Sequence, residues 1–328
     1  MPPSLVPVER VEVTVLVDNV TDQLSTNPAS VQSEFTALRR AGLTDISGEA
    51  ICCAHHGLSL LITVHGGGQS RAVLLDTGPE SYAIERNGAR LGVDFGAVES
   101  LVLTHGHWDH CGGARAALGL IKGARRGPSA RVYAHPGMFR RRARRLPGGD
   151  VIPFKPIPTA AEMTADGADV VVTAEARLVG GECLYVSAEI PRVTAYEQGL
   201  ADHLSERADR NGWEPDPLIM DERFLAVSVR DKGLIVFTGC SHAGVVNILT
   251  EARRTFPGVP LHAVMGGLHL SGAGPEKIIG ETVRDMAGFG LSRIVPAHCT
   301  GWRAVMALVA AFGEPVVTPA AVGKQFTF

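Results

Sequence analysis

Four side chains able to bind a transition metal stand within six residues: His105, His107, Asp109 and His110. They follow an apolar run, Val98 to Leu103, that reads as a buried strand. If the extended geometry continued, His105, His107 and Asp109 would alternate onto one side of the backbone. Imidazole nitrogens with a carboxylate suit zinc, iron or manganese. Gly112 and Gly113 then predict a sharp turn into the Ala-rich segment that follows. The plain alternative is a histidine-rich surface turn, but four ligands at the end of one strand fit a metal site better.

Three more histidines stand where a strand hands over to a glycine-containing turn: His242, His269 and His298. Strand ends are where α/β folds gather their sites, so these can converge with the first cluster on one cavity. Asp76, in Leu74-Leu75-Asp76-Thr77-Gly78, has the same setting, with capping of the next helix as its alternative role. His65, His203 and His262 lack that setting and read as surface or core residues, while His55-His56 is intermediate. Five arginines fall between 140 and 145. Such a run is usually a solvated helix face; here it could also draw an anionic substrate group toward the site.

The elements that must position these groups are legible in part. Val11–Asp18 alternates as a strand, a short helix lies near Ser33–Arg40, and Gly57–His65 with Arg71–Asp76 forms a hairpin. Ala114–Gly123 reads as a helix, and Ala130–Ala134, Ala168–Ala174 and Cys183–Ala188 as strands. Residues 194–221 lack clear periodicity and make the best lid or insertion, within a broader insertion at 136–221. Beyond it, the hairpin Phe224–Val229 and Gly233–Thr238 precedes strands at His262–Met265 and Ser292–Val295 that alternate with helices Val245–Phe256, Pro275–Gly288 and Trp302–Phe312. A last strand is expected at Val316–Thr318. This order favours an α/β architecture, two packed sheets with helices outside, in a single domain over residues 1–328.

Composition narrows the function. A charge of −3 argues against a nucleic-acid binder, and 45% hydrophobic with 20% charged residues is ordinary for a soluble globular chain. No apolar run is long enough to span a bilayer, and the first residues do not resemble a signal peptide, so no membrane partner is expected. Six scattered cysteines read as free thiols of a cytoplasmic protein rather than a disulfide framework.

His105-Gly-His107-Trp-Asp109-His110 resembles the H-x-H-x-D-H signature of the metallo-β-lactamase superfamily, an αβ/βα sandwich of two mixed sheets flanked by helices. The stretches around Asp76 and His298 resemble its preceding strand and its late metal-binding histidine. His56-Gly-Leu-Ser59, Glu189-Ile-Pro-Arg192, Thr238-Gly-Cys240-Ser-His242-Ala-Gly244, Gly266-Gly-Leu-His269-Leu270 and Ala297-His-Cys-Thr-Gly301 look like a narrower subgroup of superfamily hydrolases. That subgroup includes an archaeal enzyme joining a dihydropterin methyl diphosphate to a ribofuranosyl-aminobenzene phosphate. Two departures from the general pattern stand out. A middle histidine is missing, with Glu189 at its strand end, and the usual Gly-Asp is Gly239-Cys240.

The resemblance implies two divalent transition-metal ions, zinc first, with iron or manganese as alternatives. Either Cys240 or His242 fills the gap. His242 is favoured because it restores a three-histidine site with His105 and His107, leaving Asp109, His110 and His298 for the second ion. Asp109 could also orient the nucleophile, Asp76 fix an imidazole tautomer, and Arg192 with the arginines at 140–145 hold a phosphate or carboxylate. Glu189 and His269 complete the catalytic candidates. The expected activity is hydrolysis of an ester, lactone, amide or phosphoester of a small, anionic molecule by a metal-activated water. A transferase acting on a pterin-type diphosphate and a metal-binding redox or sensor protein are the competing readings. The oligomeric state stays open.

Overall fold

The computed structural model describes residues 3–125 and 130–328. Its larger sheet has eight strands in the spatial order Val31–Gln32, Gln325–Thr327, Arg10–Val17, Ser59–Gly66, Gln69–Leu75, Val98–Val102, Arg131–Ala134 and Asp169–Val172. Its pairings are antiparallel up to Gln69–Leu75 and parallel from there on. The second sheet has six strands: Arg177–Val179, Leu184–Val186, Leu225–Val229, Gly233–Thr238, Leu261–Gly267 and Arg293–Ala297, the last three parallel.

Alternation along the strands decides the layers. Val11, Val13 and Val15 point into one core together with Leu60, Ile62 and Val73, where they meet Leu225, Val227, Ile235, Phe237 and Met265 of the second sheet. The opposite face of the first sheet (Leu16, Leu74, Leu101, Val132) packs on helices Ser81–Arg90 and Ala114–Ala124 through Ile84, Ala117 and Ile121. The outer face of the second (Ala226, Val236, Val264) packs on Val245–Thr255, Ile279–Met286 and Trp302–Phe312. The result is the expected helix–sheet–sheet–helix sandwich. Strands such as Val98–Val102 sit between two layers, which is why they read as nearly unbroken apolar runs.

Two local expectations are corrected. Val316–Thr318 makes only an isolated bridge, Ile294 to Val317, and the last strand is Gln325–Thr327, where Phe326 is buried and Glu12 pairs with Thr327. The arginine run is no helix face. Arg142–Arg145 is a strand of a small third sheet with Val151–Pro153, His203–Glu206 and Trp213–Pro215. The expected turn at Gly112 and Gly113 joins Trp108–Cys111 to Ala114–Ala124, with negative φ at both residues (−62° and −85°). A Cβ on Gly112 would lie 1.8 Å from the Pro79 carbonyl oxygen, and one on Gly113 would lie 2.4 Å from that of Thr77. Close backbone approach, not a positive φ, requires glycine there.

Within the third sheet, Arg140 pairs with Glu214 at 2.5 Å, Arg141 with Glu206 at 2.9 Å and Arg144 with Asp202 at 2.6 Å. Arg142 is buried against Asp221, whose other oxygen accepts the Gly106 N–H at 2.9 Å. The segment is tied to the sandwich by Glu197, whose carboxylate accepts the N–H groups of Val246 and Asn247 at the start of helix Val245–Thr255. Among the described residues no helix is long and apolar enough to cross a membrane.

Candidate metal centre

The candidate residues lie just beyond strand ends of the two sheets. Asp76 follows Gln69–Leu75, and residues 104–110 follow Val98–Val102. Cys240 and His242 follow Gly233–Thr238, His269 follows Leu261–Gly267, and His298 follows Arg293–Ala297. Asp76 (φ 55°), His269 (φ 44°) and His298 (φ 48°) have left-handed backbone, and Cys240 and His242 flank a fourth such residue, Ser241 (φ 63°). Non-glycine residues adopt that conformation at a cost and mostly where a site demands it. Extended geometry does not persist through the motif, because Trp108–Cys111 is a helical turn. His105 and His107 therefore precede the turn, and Asp109 and His110 leave from it.

One buried carboxylate fixes two histidines. Asp76 accepts the Thr104 N–H at 2.8 Å and the Thr104 hydroxyl at 2.7 Å, and its second oxygen also takes the His110 Nδ1–H at 2.6 Å. Having donated its only proton, the Thr104 hydroxyl must accept from His105 Nδ1, 2.9 Å away. Both imidazoles are thus held with Nδ1 protonated and the Nε2 lone pair free. His298 is held likewise, its Nδ1 donating to Asn19 Oδ1 at 2.9 Å, while Asp18 accepts the His298 N–H at 2.7 Å.

The freed nitrogens converge. His105, Cys240 and His242 offer ligand atoms within 4.8 Å of one another; so do His110, Cys240 and His298, and so do His56, Asp109 and His298. His110 Nε2 is 3.1 Å from Cys240 Sγ and 3.3 Å from His298 Nε2, which in turn is 3.3 Å from Asp109 Oδ2.

Whether a cation suits this cluster can be judged from the groups themselves. His105 Nε2 and both ring nitrogens of His242 are buried without a hydrogen-bond partner, an arrangement that costs free energy unless something accepts their lone pairs. Burial, aided by neighbouring cationic groups, holds His105, His107 and His242 well below the ordinary imidazole value, keeping them in the neutral form that binds metal. Burial alone would raise Asp109, yet His110, His298 and His56 hold it well below the carboxylate range. Burial also opposes a charge on His110, but Asp76 and Asp109 outweigh it and raise it to about 9, so a cation binding at its Nε2 must displace a proton. The donor set therefore fits transition-metal cations.

The remaining candidates fall around this core. His107 packs at 4.6 Å from His105 and 4.8 Å from His242 between ring centroids, and its Nε2 lies 3.1 Å from His203 Nε2. His269 packs against His242 at 4.4 Å between ring centroids, the rings tilted by 48°. Glu189 is half-exposed and reaches His135 at 3.4 Å, and Arg192 donates from its two Nη atoms to the carbonyls of Ile190 and Leu218, while its Nε has no partner. Neither belongs to a ligand triad. His203, read from the sequence as surface or core, is the main omission: it comes from the third sheet, its Nδ1 donating to the Asp216 carbonyl at 2.7 Å. Thr104 and Glu222, which accepts the His242 and Ala243 N–H groups at 2.8 and 2.6 Å, were also missed. A polar residue directly between strand and motif was the available signal for Thr104.

Residues 55–182 match the model of the metallo-beta-lactamase superfamily. The chain is 28% identical over 276 residues to the 7,8-dihydropterin-6-methyl-4-(beta-D-ribofuranosyl)-aminobenzene-5'-phosphate synthase of Methanocaldococcus jannaschii, covering 80% of this chain and 86% of that protein. An uncharacterised protein of the same organism is 27% identical over 257 residues, 78% of this chain and 88% of its own. Among solved structures, a metal-dependent hydrolase of the beta-lactamase superfamily aligns with a TM-score of 0.70 at 22% identity, over 96% of this chain and 98% of that one. Unliganded yeast PDE1 aligns at 0.55 and 11%, over 98% and 100%. The chain is a metallo-β-lactamase-fold protein, its residues 55–182 matching that superfamily in sequence.

Proposed function

We propose that this chain is a hydrolase that uses two divalent transition-metal ions to cleave an ester, lactone, amide or phosphoester bond of a small molecule. The observation that carries the reading is the pair of buried triads, His105–Cys240–His242 and His110–Cys240–His298, in which hydrogen bonds at Nδ1 leave Nε2 of His105, His110 and His298 as the ligand atom. His105, His107 and His242 would hold one ion and Asp109, His110 and His298 the other, with Cys240 in reach of both. Nitrogen and sulfur donors favour zinc, and the carboxylate–imidazole half also suits iron or manganese. Such ions supply Lewis acidity, polarising an acyl or phosphoryl oxygen and making water nucleophilic near neutral pH.

The chain's own groups prepare the rest. Asp109 stays ionised and can orient a water by accepting its hydrogen bond. His56, more than half exposed and 3.4 Å from Asp109 Oδ2, stands where a proton can pass to solvent. The carboxylate partners of Arg140, Arg141 and Arg144 reduce the case for anion attraction by that run. Six free cysteines support a cytoplasmic location.

A second reading, transfer with loss of a diphosphate rather than hydrolysis, is favoured by the 28% identity to a synthase. Turnover in ¹⁸O-labelled water separates the two. A hydrolase places the label in one product; a transferase forms its product without label and only when the second substrate is present.

A further inference from the structure

Three potential ligands meet beside the histidine triads: Cys240 Sγ, a ring nitrogen of His269 and Cys299 Sγ lie within 4.8 Å of one another. We propose that Cys240, His269 and Cys299 form a thiolate–imidazole site for a soft d¹⁰ ion such as Zn(II), Cd(II) or Cu(I). The proposal rests on these residues alone and not on the reaction assigned above.

The spacing is close to what such an ion needs. Metal–sulfur and metal–nitrogen bonds of about 2.3 and 2.0 Å in a tetrahedron put their donors roughly 3.5–3.8 Å apart. Contraction by about an ångström, within the reach of side-chain rotation, would close the set. The backbone directs the groups here. His298, at φ 48°, turns its own ring toward Asp109 and His110, and the next residue, Cys299, leaves in a different direction, its Sγ 3.4 Å from the Cys240 carbonyl oxygen. His269, also left-handed, carries a buried Nδ1 with no hydrogen-bond partner.

Room is kept by Gly267. A Cβ there would stand 2.7 Å from Cys299 Sγ and 3.2 Å from Cys240 Cα, besides 2.5 Å from the Gly239 carbonyl oxygen. Its φ is not in the left-handed range, so space rather than backbone conformation accounts for the glycine. Cys52, Cys53, Cys111 and Cys183 join no such ligand group among the described residues. Thiolates select soft ions over the hard ones that carboxylates prefer, so this set differs in kind from Asp109–His298. Since Cys240 also lies 3.1 Å from His110 Nε2, an ion held here shares a ligand with the histidine centre.

The test uses the full chain, stripped of metal, reduced and kept anaerobic. Cd(II) is added while sulfur-to-metal charge-transfer absorption is followed, and X-ray absorption is recorded at one equivalent. The expected result is two sulfurs on the first Cd(II). Cys299→Ser should cut the band to about half and weaken Cd(II) binding more than about tenfold, since even outer-shell partners carry 10–100-fold. The double variant His105→Ala, His107→Ala should keep the band. Fewer than two sulfurs in the wild-type spectrum, an unchanged band in Cys299→Ser, or loss of the band in the double variant would overturn the assignment. The wild-type spectrum decides even if a variant fails to fold.

Discussion

Replacing Asp76 with asparagine changes no shape, yet it should invert two imidazoles at once. The left-handed backbone at Asp76 (φ 55°) is one asparagine tolerates well, so the local fold should survive. One oxygen can still accept the Thr104 N–H, which puts the new NH₂ where Asp76 Oδ2 now meets the Thr104 hydroxyl and His110 Nδ1. Facing a donor, the Thr104 hydroxyl turns its proton toward His105 Nδ1, and His105 must carry its proton on Nε2 instead. His110 is driven the same way. Losing one outer-shell partner lowers metal affinity 10–100-fold, and a hydrogen bond to a charged group is worth about 1.5–3 kcal/mol. With two ligands reversed, the upper end applies: about 100-fold, or roughly 2.7 kcal/mol. The assay is zinc affinity by competition with a chromophoric chelator, with circular dichroism to confirm the fold. An affinity within about threefold of wild type would refute the tautomer relay.

Because Cys240 lies in both triads while His242 lies in one, Cys240→Ser should weaken both ions and His242→Ala chiefly one, as seen in two-step chelator titrations; equal, single-step losses would count against this arrangement. Asp221→Ala leaves Arg142 buried without its partner and frees the Gly106 N–H, so urea denaturation should show a loss of about 3–5 kcal/mol. A loss below about 1 kcal/mol would mean that the third sheet is not anchored there. Burial, reinforced by Arg142, lowers His203 to about 4 from an ordinary 6.5. The unfolded chain then binds the extra proton between those values, so its stabilising share is complete above pH 6.5 and is lost as pH falls toward 4, up to about 3 kcal/mol. His105, His107 and His242 shift in the same direction, while His110 and Asp18, raised to about 9 and about 6, offset part of the loss. Metal-free protein should therefore show a lower urea midpoint at pH 5 than at pH 7.5, and equal midpoints would contradict the buried neutral histidines.

The sandwich was legible because its signals are local. Val11–Asp18, Gly57–His65 and Gly233–Thr238 announce themselves by alternation or unbroken apolar runs, and glycine turns mark where His242, His269 and His298 leave their strands. What escaped depends on pairing across long stretches of chain. His203 reaches His107 only because its strand pairs with Arg142–Arg145, and nothing near residue 203 reports that. The arginines were misread for the same reason: their carboxylate partners arrive from 58 to 74 residues away, and their strand is paired by the insertion itself. Thr104 was overlooked although it adjoins the motif, because its role follows from the direction of one hydroxyl proton.

The most direct test of the central claim, a two-ion centre built on the histidine motif, is elemental analysis of anaerobically purified protein beside the double variant His105→Ala, His107→Ala. The account predicts up to two transition-metal ions per folded wild-type chain and loss of most of that metal in the folded variant. Near-unchanged metal content in the variant, or a metal-free wild type that takes up no zinc when it is supplied, would contradict it.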